Sequence, residues 1–329
     1  MCAKSLLSLS MINVKDILAL YRKMVLVRAF EEKASMLYAQ GHVLGFCHLY
    51  IGQEAVATGI FHNLSSNDSS ITSYRDHAHM LILGVHPNVV MAELCGKVTG
   101  SSKGKGGSMH MYSKEHNFYG GNGIVGAQVA LGTGLAFAHK YKNDGGISFT
   151  FFGDGAANQG QVYESFNMAS LWKLPIVYVL ENNGYAMGTS TKRAASGKGL
   201  ATRGDSFEIP TILVDGMNLF DVLEKSKEAI SYVRCGNGPI IMHVDTYRYR
   251  GHSMSDPATY RTREEVNAVK ENRDPILKVK NILINEYSIL LDDIVKVDNE
   301  IGDIIEQAAK FAIESKFPEE SELEMDVTI

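Results

Sequence analysis

Residues 14–40, VKDILALYRKMVLVRAFEEKASMLYAQ, carry apolar side chains at helical spacing with charges between them, and the pattern stops at Gly41. Glycine is the residue that most readily closes a helix, so the spacing predicts an N-terminal helical arm, taken as 1–44. Beyond it the period shortens. Apolar runs at 69–74 (SSITSY), 147–152 (ISFTFF), 175–181 (PIVYVLE), 211–214 (TILV) and 239–245 (PIIMHVD) read as strands, and helical patterns separate most of them. Such alternation predicts an α/β fold with a parallel sheet covered on both faces, over 45–265. The more highly charged residues 266–329 read as a C-terminal helical segment, effectively part of the same domain.

Between the strands, GIVGAQVALGTGLAFA (123–138) is too short and too interrupted, by Gln128, to cross a bilayer. Its small residues Gly126, Ala130, Gly134 and Ala138 recur every four positions and share one helical face, which suits tight core packing or a helix at a subunit interface. The glycine-rich stretches 100–107 (GSSKGKGG) and 188–205 read as mobile surface loops.

Composition narrows the function classes. With 329 residues, 45% hydrophobic, the chain can bury a sizeable core, and 32 basic against 37 acidic residues form no dense basic face for nucleic acid. Cys2, Cys47, Cys95 and Cys235 are scattered without a C-x-x-C pair, which suggests neither a disulfide framework nor a zinc site and fits a reducing compartment. The opening MCAKSLLSLSMINVKD resembles neither a secretory signal nor an Arg-rich transit peptide, so the cytoplasm is the expected location, or the mitochondrial matrix if the chain is eukaryotic.

The chemistry concentrates at FFGDGAANQG (151–160). Asp154 follows the strand 147–152, a helix is predicted over 157–172, and the next strand ends in ENNGY, a βαβ unit with a right-handed crossover. Twenty-six residues separate Gly155 from Asn182. A helix of about fifteen residues advances roughly 22 Å and the returning strand covers a similar distance, so Asp154 and the pair Asn182–Asn183 should meet at the carboxyl edge of the sheet. One carboxylate with amide and carbonyl oxygens suits a Mg²⁺ that takes its other ligands from a diphosphate and water. Gly153 and Gly155 would let phosphate oxygens approach backbone amides.

Gly-Asp-Gly followed after 26 residues by Asn-Asn is the thiamin-diphosphate motif, and the wider pattern resembles the alpha-subunit family of the pyruvate dehydrogenase first component. GFCHLYIGQEA (45–55), SYRDH (73–77), KGKGGSMHMY (103–112), YGGNGIVGAQV (119–129), GDGAANQGQVYESFNMASLWKLP (153–175), ENNGYAMGTS (181–190) and YRYRGHSMSDP (247–257) carry the resemblance. It implies a three-layer parallel-sheet fold of the diphosphate-binding type. It also implies that Asp154, Asn183 and the Tyr185 carbonyl hold Mg²⁺, that Tyr74, Arg75, Gly155, Ala156 and His252 bind the diphosphate, and that Gly123 and Val125 contact the aminopyrimidine. His48 and His252 are then the catalytic candidates, as proton donors or hydrogen-bond partners, since imidazole titrates near working pH. By residue type alone, His48 reads as a satisfied core histidine and Arg75 as one half of a surface salt bridge.

The implied activity is decarboxylation of pyruvate by cofactor-based covalent catalysis, with reductive acetylation of the lipoyl group of dihydrolipoyl acetyltransferase. The chain has length for one such α/β domain, so the resemblance implies that a beta subunit supplies the glutamate that activates the cofactor, in a two-alpha, two-beta heterotetramer. Ser253 matches an inhibitory phosphorylation site of mitochondrial relatives, although the stretch after Pro257 is one residue shorter and carries Thr259 where relatives have a second serine. A branched-chain 2-oxo acid or acetoin dehydrogenase, or a non-catalytic scaffold, is compatible with the same fold. A nucleotide phosphotransferase is not supported, because the chain contains no G-x-x-x-x-G-K-[ST] loop.

Overall fold

The computed structural model describes residues 13–326; the first twelve residues of the predicted arm, Cys2 among them, lie outside the described residues. Helix α1 (Val14–Ala39) opens with Asn13, whose side chain accepts from the Asp16 amide at 3.0 Å, and closes at Gly41 with φ +81°. Its buried positions Ile17, Leu20, Met24, Val27, Phe30, Ala34 and Leu37 follow the predicted spacing. In chain order there follow α2 (Glu54–His62), β1 (Ser69–Ser73), α3 (His77–Leu83), α4 (Pro87–Leu94), β2 (Phe118–Asn122), α5 (Ala127–Lys142), β3 (Ser148–Gly153), α6 (Gly160–Leu171) and β4 (Ile176–Asn182). A small hairpin, β5 (Tyr185–Ala186) and β6 (Thr189–Ser190), leads through the one-turn α7 (Thr191–Ala194) to β7 (Thr211–Asp215), α8 (Leu219–Arg234) and β8 (Ile240–Asp245). Helices α9 (Arg263–Arg273), α10 (Pro275–Asn285) and α11 (Leu291–Glu314) follow, and no described helix is long and apolar enough to cross a membrane.

Six strands form one parallel sheet in the order β2-β1-β3-β4-β8-β7. Every predicted strand is present, within a residue or two at its ends. The strand β2, FYGGN, was not expected, because two glycines erase the apolar pattern; pairing with β1 holds it at the sheet edge instead. Alternation along β3 shows the layering: Phe149 and Phe151 enter the core shared with α1–α4, α8 and α11, while Phe152 enters the core under α5 and α6. The chain leaves β1 toward β2 on one side and returns to β3 on the other, so direction reverses between β1 and β3. Ligands in open α/β sheets bind outside the carboxyl ends of strands at such a switch point.

Two expectations change. The stripe Ala130–Gly134–Ala138 on α5 faces outward, whereas Val129, Gly132, Thr133 and Ala136 pack inward, so the stripe is not part of this chain's core; Gly126 precedes the helix with φ +87°. The loop 100–107 is not loose either, because Glu93 accepts hydrogen bonds from its amides. Cys47 and Cys95 are buried free thiols and Cys235 is an exposed one.

The two faces of α5 differ in what they tolerate. A Cβ at Gly132 would stand 1.9 Å from the Thr150 hydroxyl oxygen on β3, while one at Gly134 would meet nothing within 4 Å. Gly132→Ala should destabilise the isolated chain by about 1–3 kcal/mol through forced separation of helix and sheet. Gly134→Ala should be neutral or stabilise it by about 0.5–1 kcal/mol. Urea midpoints of the two variants check the contrast.

Candidate active site

The carboxyl edge of the sheet surrounds a cavity of ≈ 840 Å³. Register decides what faces it. Gly153 of β3 pairs with Glu181 of β4, so Asp154 and Asn183, one and two residues further along, emerge side by side. Tyr74 and Arg75 follow β1, Gly123 and Val125 follow β2, and the segment after β8 brings Arg248 and His252. Thus His48, Tyr74, Arg75, Gly123, Val125, Asp154, Gly155, Ala156, Asn183, Tyr185, His252 and Ser253 all line one cavity.

Asp154 is buried, and its Oδ2 has no hydrogen-bond partner. Burial pushes its carboxyl up to about 6, against the opposing pull of Arg248. Arg248, itself buried, donates from Nη1 to Asn183 Oδ1 and to the Tyr185 carbonyl, each at 3.2 Å. These two oxygens already face a positive centre. Asn183 Nδ2 donates to Gln53 Oε1 at 3.1 Å, which fixes the amide so that its oxygen faces Arg248. Asn182 departs from the expected pair: its side chain donates to Asp245 Oδ1 at 2.9 Å and accepts from the Gly184 amide at 3.2 Å. Among the described residues no cluster of three His, Cys, Asp or Glu could hold a metal, so any cation here would rest on the one carboxylate of Asp154 with amide and carbonyl oxygens, a set that suits a hard ion sharing its shell with a ligand.

The two glycines differ. A Cβ at Gly155 would lie 2.7 Å from the Ala186 Cβ, so the β5–β6 hairpin requires a glycine there; at Gly153 the nearest atom is 3.9 Å away and the chain itself sets no such demand. Arg75 is no surface salt bridge. It is buried, and its Nη2 donates to the His252 carbonyl at 2.9 Å and its Nη1 to the Leu49 carbonyl. Burial, then the nearby Arg248, pull its guanidinium down to about 10, the signature of a cationic centre short of negative charge.

His48, Tyr74 and His252 form one ring cluster, with centroids 4.3 Å apart for His48–Tyr74 and 5.1 Å for His48–His252. Nδ1 of each imidazole is buried without a partner, so His48 is not a satisfied core histidine. Burial, reinforced by Arg75, lowers His48 to about 2 and His252 to about 4. Both rings are therefore neutral at pH 7 in this state, and an anion bound beside Arg75 would raise both toward working pH.

Three participants went unassigned in the sequence. Arg248 lies within the quoted YRYRGHSMSDP, but nothing in the pattern shows that this arginine, unlike Arg250, is buried. Glu181 lines the cavity, accepts from the Tyr50 phenol and is pushed up to about 7 by burial. Asp256 organises the Ser253 loop: its carboxylate accepts from the His252 amide (2.6 Å), the Ala258 amide (2.8 Å) and the Tyr260 hydroxyl (2.9 Å).

The family model described as dehydrogenase E1 component matches residues 22–321. The chain is 54% identical over 316 residues to the pyruvate dehydrogenase E1 component subunit alpha of Zymomonas mobilis, covering 96% of this chain and 89% of the relative. It is likewise 54% identical over 315 residues to the subunit of that name from Rhizobium meliloti, covering 96% and 90%. The mitochondrial subunit of Dictyostelium discoideum is 49% identical over 312 residues, covering 94% and 82%.

The neutral imidazoles give a pH signature. Their folded values lie below the unfolded value of about 6.5, so the stability they contribute is present above that pH and is lost as pH falls toward about 4. In carbon-13 histidine spectra of the ligand-free chain, the His48 and His252 resonances should not titrate between about pH 5.5 and 8. A midpoint near 6.5 for either ring would contradict the burial seen here.

Proposed function

The chain belongs to the dehydrogenase E1 component family, and from that premise we propose that it is the alpha subunit of a pyruvate dehydrogenase. The reaction is thiamin-diphosphate-dependent oxidative decarboxylation of pyruvate, in which the lipoyl disulfide carried by dihydrolipoyl acetyltransferase is the oxidant and is reductively acetylated. The observation that carries the proposal is the convergence of Asp154, Asn183 and Tyr185 oxygens beside buried Arg75 and Arg248 at the switch point of the sheet. The relatives described above all carry the pyruvate name, and no feature of the cavity favours the branched-chain or acetoin reading.

The residues fit the cofactor. The unpartnered Asp154 Oδ2, with Asn183 Oδ1 and the Tyr185 carbonyl, would hold Mg²⁺. Tyr74, Arg75, Gly155, Ala156 and His252 would hold the diphosphate, and the backbone at Gly123 and Val125 the aminopyrimidine. The bound cofactor supplies the nucleophile and the electron sink that decarboxylation of a 2-oxo acid needs. The protein supplies position and charge. Arg75 is pinned by two carbonyls, so it loses little rotamer freedom on meeting phosphate. His48 and His252, neutral and partly unpartnered, can each hold a hydrogen bond to a reacting oxygen and take up a proton once anionic charge raises them. Phe46, Met109 and Val125 give the cavity apolar walls that thin out water.

Phe46 and Val125, which line the cavity, are exposed, as are Leu44 and Ile124 beside them in the chain. Apolar side chains there support a beta subunit that covers the mouth and brings the activating glutamate, in a two-alpha, two-beta heterotetramer. The 1–44, 45–265 and 266–329 division is kept as a proposal for how the chain is organised around this site.

Two outcomes test the reading. Assembled with its beta subunit, the chain should reduce an artificial acceptor in a manner dependent on pyruvate, thiamin diphosphate and Mg²⁺. Asp154→Ala should lower that rate at least about a hundredfold, while activity only with branched-chain acids or acetoin would move the substrate. Ser253 lines the cavity, with its hydroxyl 3.0 Å from that of Ser255. Ser253→Glu would set a carboxylate beside the diphosphate and should abolish activity by repulsion, whether or not a kinase acts there. Normal turnover of this variant would remove that expectation.

A further inference from the structure

Loop 100–107 is glycine-rich in the manner of a phosphate cradle, yet the anion it wraps belongs to the chain itself. Glu93, fully buried near the end of α4, accepts four backbone hydrogen bonds. Ser102 and Gly104 amides donate to Oε2 at 2.7 and 2.9 Å, and Gly106 and Gly107 amides to Oε1 at 2.8 and 3.1 Å. The glycines are sterically required. A Cβ at Gly100 would stand 2.3 Å from Glu93 Oε2, one at Gly104 2.4 Å from the Gly96 carbonyl carbon, and one at Gly106 2.3 Å from the His110 carbonyl oxygen. Outside this core, Lys103 and Lys105 reach Glu322 and Asp326 only through exposed ion pairs, which hold a loop weakly. The ordering force is the buried carboxylate.

What the loop delivers lies in the cavity. Immediately after it, Ser108 meets His77 Nε2 through its hydroxyl at 2.8 Å, and His77 Nδ1 is 2.9 Å from buried Glu31. Met109 lines the cavity, and its carbonyl oxygen would be 2.5 Å from a Cβ at Gly121. The Met111 amide donates to Asp76 Oδ2, and the Gly121 amide to the Met111 carbonyl. The His110 ring stands 3.1 Å from where a Gly123 Cβ would be. Segment 108–111 thus lies along β2 and its exit, packed on the Gly121 and Gly123 backbone.

We propose that Glu93 is a positioning residue for the pyrimidine end of the cavity: its carboxylate templates loop 100–107, and that loop fixes Met109–Met111 against Gly121 and Gly123. Glu93 never touches the cofactor; it acts through the backbone. This rests on the reading of Gly123 and Val125 as the aminopyrimidine contacts. In Glu93→Gln one acceptor oxygen becomes an NH₂ facing amide donors, so two of the four loop amides lose their partner and the template fails at nearly constant volume.

The experiment uses the chain assembled with its beta subunit and titrates it with two probes, Mg-thiamin diphosphate and Mg-pyrophosphate. Glu93→Gln should weaken thiamin diphosphate about tenfold or more and leave pyrophosphate within about twofold, because only one end of the cavity loosens. Gly106→Ala, which keeps Glu93 but drives a Cβ into the His110 carbonyl, should give the same split and serves if Glu93→Gln does not assemble. Unchanged thiamin diphosphate affinity, or equal loss for both probes as general destabilisation would produce, overturns the positioning role alone. Failure of the unmutated assembly to bind either probe overturns the cofactor reading and this proposal with it.

Discussion

The parallel pairing of β3 with β4 is the constraint from which the rest of the site follows. Its register places Gly153 against Glu181, and the next residues of both strands leave the sheet together at one edge. A slip of one residue would turn Phe149, Phe151 and Phe152 to the wrong faces of a sheet covered on both sides, so hydrophobic burial fixes the register that brings Asp154 beside Asn183. The site is held in place by core packing several residues away. The reversal of chain direction between β1 and β3 then opens the crevice at the same edge.

Within that crevice the electrostatics are unbalanced in a useful sense. Arg75 and Arg248 are both buried, and the hydrogen bonds they make go to carbonyl, amide and hydroxyl oxygens rather than to carboxylates. Nearby carboxyls, Asp154 and Glu181, are pushed upward by the same burial, so they supply less negative charge than their number suggests. Two cations taken out of water without full compensation favour an anionic ligand, and they add to the burial that keeps His48 and His252 neutral. Binding and the protonation state of the imidazoles are thereby linked.

Elsewhere the fold uses buried carboxylates as structural anions. Glu93 gathers the amides of loop 100–107, and Glu31 joins α1 to His77 and, through the Tyr50 amide at 2.9 Å, to the segment bearing His48. Asp256 does the same for the loop carrying His252 and Ser253. A carboxylate that satisfies several amides at once orders irregular backbone without a large apolar core, which is what segments lying over a polar cavity require.

The sequence by itself determined the strands with clear apolar runs, their parallel sense, the helical arm with its stop at Gly41, and the meeting of Asp154 with Asn183, because period and crossover length are local or nearly local quantities. The resemblance of its motifs named residues that the fold then gathers around one cavity. Only the tertiary structure decided what depends on distant neighbours. It recruited glycine-rich FYGGN as a strand, turned the α5 stripe outward, sent Asn182 away from the cavity and buried Arg248 while leaving Arg250 exposed. It also turned a glycine-rich stretch that reads as a free loop into a shell around Glu93. Residue type sets which interactions a side chain can make; burial, which sequence pattern cannot give residue by residue, decides which of them are worth making.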